Sequence, residues 1–351
     1  MVQKTGQKNI NLALQGGGAY GAFTWGVLDH ILEDGRLDID GLTGASAGAI
    51  NAILLTDGLT RGGKDDARKR LADFWRAASI NGKLPELQRR VVDGLLWPTK
   101  IWLDAVCRFQ RGPLTPPIIS PYDFNILNIN PLKDLIEQFV DFEAIRKSKV
   151  PKLFVSATNV ETGKLRIFSQ DKITAEVVAA SACLPNLFRA VEIDGVPYWD
   201  GGYLANPPIF PLLNTTTTED VLLVQLNPVL RPGAPTSIAQ ILRRLNEITF
   251  NSTLMSELHA IEVVRRMIDE GRLDWSNGQK TYRRINMHRI ALDAADQELD
   301  PLSPVNIDYE FFETLRDQGR DAARRFLDAH FDDIGVHETM DLANEVQAEW
   351  A

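Results

Sequence analysis

The chain has 351 residues, 44% of them hydrophobic, a composition that supports a substantial core and excludes disorder as the default state. Its formal charge of −9 and pI near 5.2 exclude nucleic acid as an expected partner, because neutralising phosphates needs a basic face. Only two cysteines occur, Cys107 and Cys183, far apart and without zinc-site spacing, which excludes a disulfide framework and suits a reducing compartment.

The apolar run near the N-terminus is too short for a signal-peptide core, and nowhere are there the roughly twenty uninterrupted apolar residues of a spanning helix. The expected location is cytoplasmic, with a peripheral membrane surface left open as a contact. Oligomeric state is not legible.

Asn9 to Gln15 reads as a short buried strand running into the glycines of NLALQGGGAYGAFTWGVL, residues 11–28. Phe23, Val27, Leu28, Ile31 and Leu32 then recur at three-and-four spacing and predict a helix stopped by Gly35. The glycines admit three readings. Gly16-x-Gly18-x-x-Gly21 between strand and helix fits a dinucleotide fingerprint. The same bare amides fit a loop that stabilises an oxyanion formed during a reaction, and they also fit a plain tight turn.

Ile39 to Thr43 predicts a second strand, followed by Gly44-Ala45-Ser46-Ala47-Gly48 and the apolar helix AINAILL. Repeated β-turn-α units predict a mostly parallel sheet covered by helices. G-x-S-x-G at a strand-to-helix junction has the pattern of a nucleophile elbow, in which small neighbours permit a sharp turn that raises the serine hydroxyl over a helix N-terminus. The dinucleotide reading weakens here. Asp38 and Asp40 flank the start of the second strand, whereas a ribose-binding acid belongs at its end.

The basic clusters Arg68, Lys69, Arg70 and Arg89, Arg90 read as solvated helix faces. From about 76 to 130 the alternation stops, and Leu95, Leu96, Trp97 and Trp102 precede the proline-dense PLTPPIISPYDFNILNINP. Trp97, Trp102, Ile118 and Ile119 of this insertion belong either to a lipid-facing rim or to the core. KLFVSATNV and KLRIFS read as strands paired around Glu161-Thr162-Gly163, and ITAEVVAASA as a helix closed before Pro185. RAVEI and VPYWD form a hairpin around Asp194-Gly195 that ends in Asp200-Gly201-Gly202, and EDVLLVQLNP is a buried strand. A helical region from Ser237 to Glu270, a strand around Arg284 to Leu292 and a helix from Asp308 to His330 follow. Residues after Gly335 read as a mobile or loosely docked tail.

A serine nucleophile needs a base. None of His30, His259, His288, His330 and His337 stands in a loop signature near a strand end, and His288, on a late strand, is the one kept as an alternative. Asp200 ends a strand and precedes two glycines that admit close approach by another loop. The competing reading is a plain Asp-Gly turn, although Asp194-Gly195 already supplies one six residues earlier.

GGGAYG, GASAG and DGG, in this order, resemble the three motifs of the patatin-like phospholipase family, and AASACLPNLF, with Ser181, Pro185 and Phe188, is similar to a fourth stretch of that family. The resemblance spans about Asn9 to Pro228. It implies an α/β fold with a central, mostly parallel sheet sandwiched by helices. The chain is then one domain over 1–351, with a motif core at about 9–228, the insertion at about 76–130 and a helical C-terminal part at about 235–351. The resemblance also implies a Ser-Asp dyad: Ser46 as nucleophile and Asp200 as base. Gly16, Gly17, Gly18 and Ala19 would form the oxyanion hole, and Gly44, Gly48, Gly201 and Gly202 would support elbow and dyad.

The implied activity is that of a phospholipase A or lysophospholipase type esterase acting on a lipid or ester substrate without metal or cofactor. An intracellular polyester depolymerase with the same dyad and a catalytically weak lipid-binding module are the alternatives. Many family members carry Arg or Lys two residues after the third glycine of the loop, where this chain has Tyr20. That departure bears on head group and rate and leaves the dyad untouched.

Overall fold

The computed structural model describes residues 6–79, 120–125, 128–149, 151–273, 283–293 and 307–346. Strand β1 (Lys8–Leu14), helix α1 (Gly21–Asp34), β2 (Leu37–Gly44) and α2 (Ala47–Arg61) are the two successive β-loop-α units the spacing predicts. Gly35 ends α1 by taking φ 76, from which its N–H reaches the Ile31 carbonyl. Helix α3 (Lys64–Ala77) follows. Most of the expected insertion, with Trp97, Trp102, Ile118 and Ile119, and also Arg89, Arg90 and Cys107, lies outside the described residues.

After α4 (Pro131–Phe139) come the hairpin strands β3 (Lys152–Asn159) and β4 (Leu165–Ser169), then α5 (Ala175–Ser181) and the hairpin β5 (Val191–Ile193) and β6 (Val196–Asp200). Strand β7 (Asp220–Gln225), α6 (Ile238–Asp269), β8 (Asn286–Ala291) and α7 (Tyr309–His330) complete the order. The strands form one sheet in the order β5-β6-β3-β2-β1-β7-β8, with β4 also on β3. Strands β3, β2, β1, β7 and β8 run parallel, and the antiparallel pairings gather at one end.

Side chains alternate between two apolar layers. Leu12, Leu14, Leu222 and Val224 point into a core shared with Phe23, Ile53, Leu71 and Phe312 of α1, α2, α3 and α7. Ala13, Val221 and Leu223 point the other way, onto Leu254, Leu258 and Ile261 of α6. Cover on both faces is why β7 reads as an unbroken apolar run. In the Arg68 to Arg70 cluster Lys69 is solvated, at 72% exposure, but Arg68 and Arg70 are not. Arg68 bonds Asp29 and Glu33 of α1, both at 2.8 Å, and Arg70 pairs at 2.8 Å with the fully buried Asp57 of α2, so these side chains tie three helices together.

Helices α1 and α7 cross on glycines. A Cβ at Gly26 would stand 1.9 Å from the Arg316 carbonyl oxygen, and one at Gly319 would stand 2.1 Å from that of Phe23. Because backbone cannot yield as a flexible side chain does, Gly26→Ala is expected to lower stability by about 3 kcal/mol. Urea unfolding checks this, and an unshifted midpoint would rule out so close a crossing.

Residues 336–346 are docked, contrary to the expectation of a loose tail. The N–H groups of Thr339 and Met340 both donate to the Met287 carbonyl at 3.1 Å, Leu342 is fully buried, and Glu345 pairs with Arg289 at 2.7 Å. Its few apolar residues show no periodicity of their own, and they acquire a partner only because β8 lies at the sheet edge.

Candidate active site

Ser46 sits between the end of β2 and the start of α2 with φ 53 and ψ −126, a positive φ in a residue that carries a Cβ. Such a conformation costs on the order of 1–3 kcal/mol and persists only where its surroundings impose it. Here they do. The Ser46 N–H donates to the Ser181 hydroxyl at 3.0 Å, and Gly48 N–H donates to the Ala45 carbonyl at 2.8 Å. The small residues of G-x-S-x-G are a packing requirement: a Cβ at Gly48 would lie 2.1 Å from the Leu14 carbonyl oxygen, and one at Gly44 would lie 2.5 Å from the backbone of Gly48.

Asp200 reaches the same place through the sheet. β3 lies between β2 and β6, with Gly44 opposite Val155 and Asp200 opposite Ala157, so the ends of β2 and β6 flank the C-terminal part of β3. The Asp200 backbone is pinned on both sides. Its N–H donates to the Cys183 carbonyl at 2.9 Å, and its carbonyl accepts from the Thr158 hydroxyl at 2.8 Å. The side chain is 1% exposed, with Oδ1 accepting from Gly202 N–H at 2.7 Å and Oδ2 buried without a hydrogen-bond partner.

Burial pushes the Asp200 carboxyl up to about 7, against the downward pull of the Gly202 N–H and the Ser46 hydroxyl. The hydroxyl is thus close enough to act on the carboxyl, while Oδ2 has no bond of full hydrogen-bonding geometry. Catalytic hydrogen bonds commonly tighten only with substrate in place. A carboxyl that exchanges its proton near neutrality beside a hydroxyl is chemically suited to serve as a base. Gly201 lets this turn close onto β3, since a Cβ there would stand 2.2 Å from the Ser156 carbonyl oxygen.

The glycine loop touches the elbow, for a Cβ at Gly16 would stand 2.7 Å from the Ser46 Cβ. Gly16 itself departs from the expected donor set. Its N–H is committed to Asn206 Oδ1 at 2.7 Å, and its carbonyl accepts from Asn227 Nδ2 at 2.8 Å, so it anchors the loop and has no amide to offer a substrate. The amides of Gly17, Gly18 and Ala19 have no acceptor among the described residues. Such donors, held in place before any charge develops, are what an oxyanion requires.

A buried carboxamide cluster holds the loop. Gln15 Oε1 accepts from the N–H groups of Leu226 and Asn227 at 2.7 Å, and its Nε2 donates to Asn251 Oδ1 at 2.9 Å. Gln15, Asn206, Asn227 and Asn251 are all at most 9% exposed and bonded to one another or to backbone, as buried polar groups must be. Sequence reasoning missed this cluster. Its one visible signal was a glutamine at the end of an apolar strand.

Tyr20, 4% exposed, accepts a hydrogen bond from Arg243 Nη2 of α6 at 3.0 Å, so a guanidinium from far along the chain stands beside the loop that lacks a cation of its own. His288 is not at the site. It is fully buried on β8, with Nε2 against Asp220 and Nδ1 against the Thr339 hydroxyl, each at 3.0 Å, and β7 and β1 separate it from β2. His30, His330 and His337 pair with nearby carboxylates, and His259 lies on α6. Burial pushes the Cys183 thiol up to about 12, which removes it as a competing nucleophile. Among the described residues no group of His, Cys, Asp and Glu is arranged to hold a metal ion.

The glycine loop, Ser46, Ser181 and Asp200 all fall within residues 12–213, which match the model of the patatin-like phospholipase family. The chain belongs to this family. Solved structures similar to this patatin-like chain include VipD from Legionella pneumophila, at 18% identity and a TM-score of 0.42, covering 93% of this chain and 67% of that one. The type III effector protein ExoU is similar at 15% identity and a TM-score of 0.36, covering 92% of this chain and 53% of that one. The patatin-like chain thus spans about half the length of ExoU. No curated protein matches it. No helix among the described residues is long and apolar enough to cross a membrane.

Proposed function

We propose that this patatin-like protein hydrolyses acyl ester bonds of phospholipids or lysophospholipids, with Ser46 as nucleophile and Asp200 as its base. The observation that carries this reading is the strained Ser46 elbow lying beside a buried carboxyl whose pKa is raised to about 7. Ser46 Oγ attacks the ester carbonyl carbon while its proton passes to Asp200 Oδ2. The carbonyl electron pair moves onto oxygen, where the N–H groups of Gly17, Gly18 and Ala19 stabilise it, each such donor lowering the barrier by about 3 kcal/mol. Collapse of this intermediate breaks the bond to the alcohol oxygen, which leaves with the proton held by Asp200. Water, giving its proton in turn to Asp200, then attacks the acyl carbon, and the fatty acid is released as Asp200 returns that proton to Ser46 Oγ.

A base whose pKa lies near working pH can both take and return a proton, which this two-step cycle needs. The reading treats 1–351 as one working domain, with the buried carboxamides around Gln15 keeping the donors of the loop in place.

A fluorophosphonate is expected to label the protein at one serine, and peptide mapping should find it on Ser46. Mass spectrometry of products from a mixed panel of phospholipids, lysophospholipids, triglycerides and short polyesters should then show free fatty acid released from the phospholipid classes. A label elsewhere would move the nucleophile. Release from polyester alone would change the substrate.

A further inference from the structure

Asn51 lies one turn past the first residue of α2, fully buried, the one polar side chain in the apolar stretch AINAILL. Helix interiors disfavour asparagine, whose amide competes with the backbone for partners, so its place here rests on what that amide holds. Its Nδ2 donates to the Gly21 carbonyl at 2.9 Å and to the Ala47 carbonyl at 3.1 Å, and its Oδ1 accepts from Trp75 Nε1 of α3 at 3.0 Å. An indole N–H can only donate, so Trp75 fixes which end of the amide faces the two carbonyls. Gly21 and Ala47 are the first residues of α1 and α2. At that end of a helix it is the N–H groups that lack partners, so neither carbonyl needs a side chain for its own satisfaction.

The two residues so bridged end the two turns that make the candidate site. Gly21 follows Gly17, Gly18 and Ala19 at the close of the glycine loop, and Ala47 follows Ser46. The helices meet there without clearance, for a Cβ at Gly21 would stand 2.7 Å from that of Ala47 and 2.9 Å from Cη2 of Trp75. The opposite end of the loop is Gly16, held by Asn206 and Asn227. Gly17, Gly18 and Ala19 therefore stand between two pins, and Asn51 is the pin bonded to the helix of the elbow itself.

We propose that Asn51 is a positioning residue, which sets the distance between the glycine-loop donors and the Ser46 hydroxyl by bridging the first residues of α1 and α2. The proposal rests on the hydrolase reading, since only the reaction makes that distance matter. The oxyanion forms one bond away from the carbon that Ser46 attacks, so donors and nucleophile must keep a fixed separation through the step. A misplacement of about 1 Å can cost such a reaction about a hundredfold, whereas binding of the ester, which needs no such alignment, changes little.

The experiment compares Asn51→Ala and Asn51→Ser in the full chain with the parent, by urea unfolding, by kinetics on a soluble short-chain ester and by inhibition with an alkyl trifluoromethyl ketone. Serine in a helix bonds the carbonyl four residues back, so Asn51→Ser keeps a link to Ala47 but is too short for Gly21, and it carries the test should Asn51→Ala fail to fold. The ketone adds to Ser46 with no leaving group: Ser46 Oγ bonds its carbonyl carbon, the hydroxyl proton passes to Asp200, and the carbonyl electron pair moves onto the oxygen among the loop donors. Per folded molecule, both variants should lower kcat by about tenfold to a hundredfold, keep KM within about twofold and weaken the ketone by the same factor as kcat. His288→Ala, destabilised two strands away from β2, should move neither. Lower stability with parent-like kcat and ketone affinity would overturn the inference. So would a fall in kcat for Asn51→Ala alone, because the link to Gly21 would then be dispensable. A parent that neither cleaves the ester nor binds the ketone would overturn the hydrolase reading itself, and the inference with it.

Discussion

Ser46→Ala is expected to abolish ester hydrolysis, lowering the rate by about four powers of ten or more, because the substitution removes the attacking oxygen. Cys183, the nearest thiol in sequence to the Asp200 turn, is buried and held protonated. Folding should survive, since alanine is no larger than serine and the N–H that bonds the Ser181 hydroxyl is retained. The control is His288→Ala. Its loss removes one partner each from Asp220 and Thr339 and lowers stability, but among correctly folded molecules the rate on a soluble ester should remain near that of the parent. A folded His288→Ala as inactive as Ser46→Ala would replace the dyad with a triad, in which the carboxylate works only through an imidazole.

The second large effect concerns Asp200. Asp200→Asn keeps the size of the side chain and an oxygen for Gly202 N–H but cannot accept a proton, so turnover should fall by about two to four powers of ten. In the parent the base must be ionised, so activity should rise with pH and level off above about 7.

The same shift makes a stability prediction of definite sign. The folded carboxyl titrates near 7 and the unfolded one near 3.8, so between those values the folded protein holds a proton that the unfolded chain has released. Rising pH across that window therefore costs the parent stability through this group, on the order of a few kcal/mol in total. Asparagine does not titrate. The stability of Asp200→Asn relative to the parent should accordingly climb from about pH 4 to about pH 7 and stay level above it. Urea unfolding at several pH values tests this, and a difference that is flat or shrinks across the window would mean that the carboxyl is not held in a desolvated site.

What the residues declared unaided was local. Three glycines between a strand and a helix, small residues around Ser46 and a strand ending in Asp-Gly-Gly are each demands of a single turn, where neighbours in sequence are neighbours in space. The alternation of short apolar runs with amphipathic helices likewise announced the parallel sheet. Tertiary structure decided what depends on partners far along the chain. Asn206 takes the amide of Gly16 from 190 residues away, and Arg243 meets Tyr20 from 223 residues away. Met340 and Leu342 became core only once β8 existed to receive them, and Arg70 became part of the structure only against the buried Asp57. The raised pKa of Asp200 belongs to the same class, because desolvation is a property of everything packed around a carboxyl and of nothing in the letters beside it.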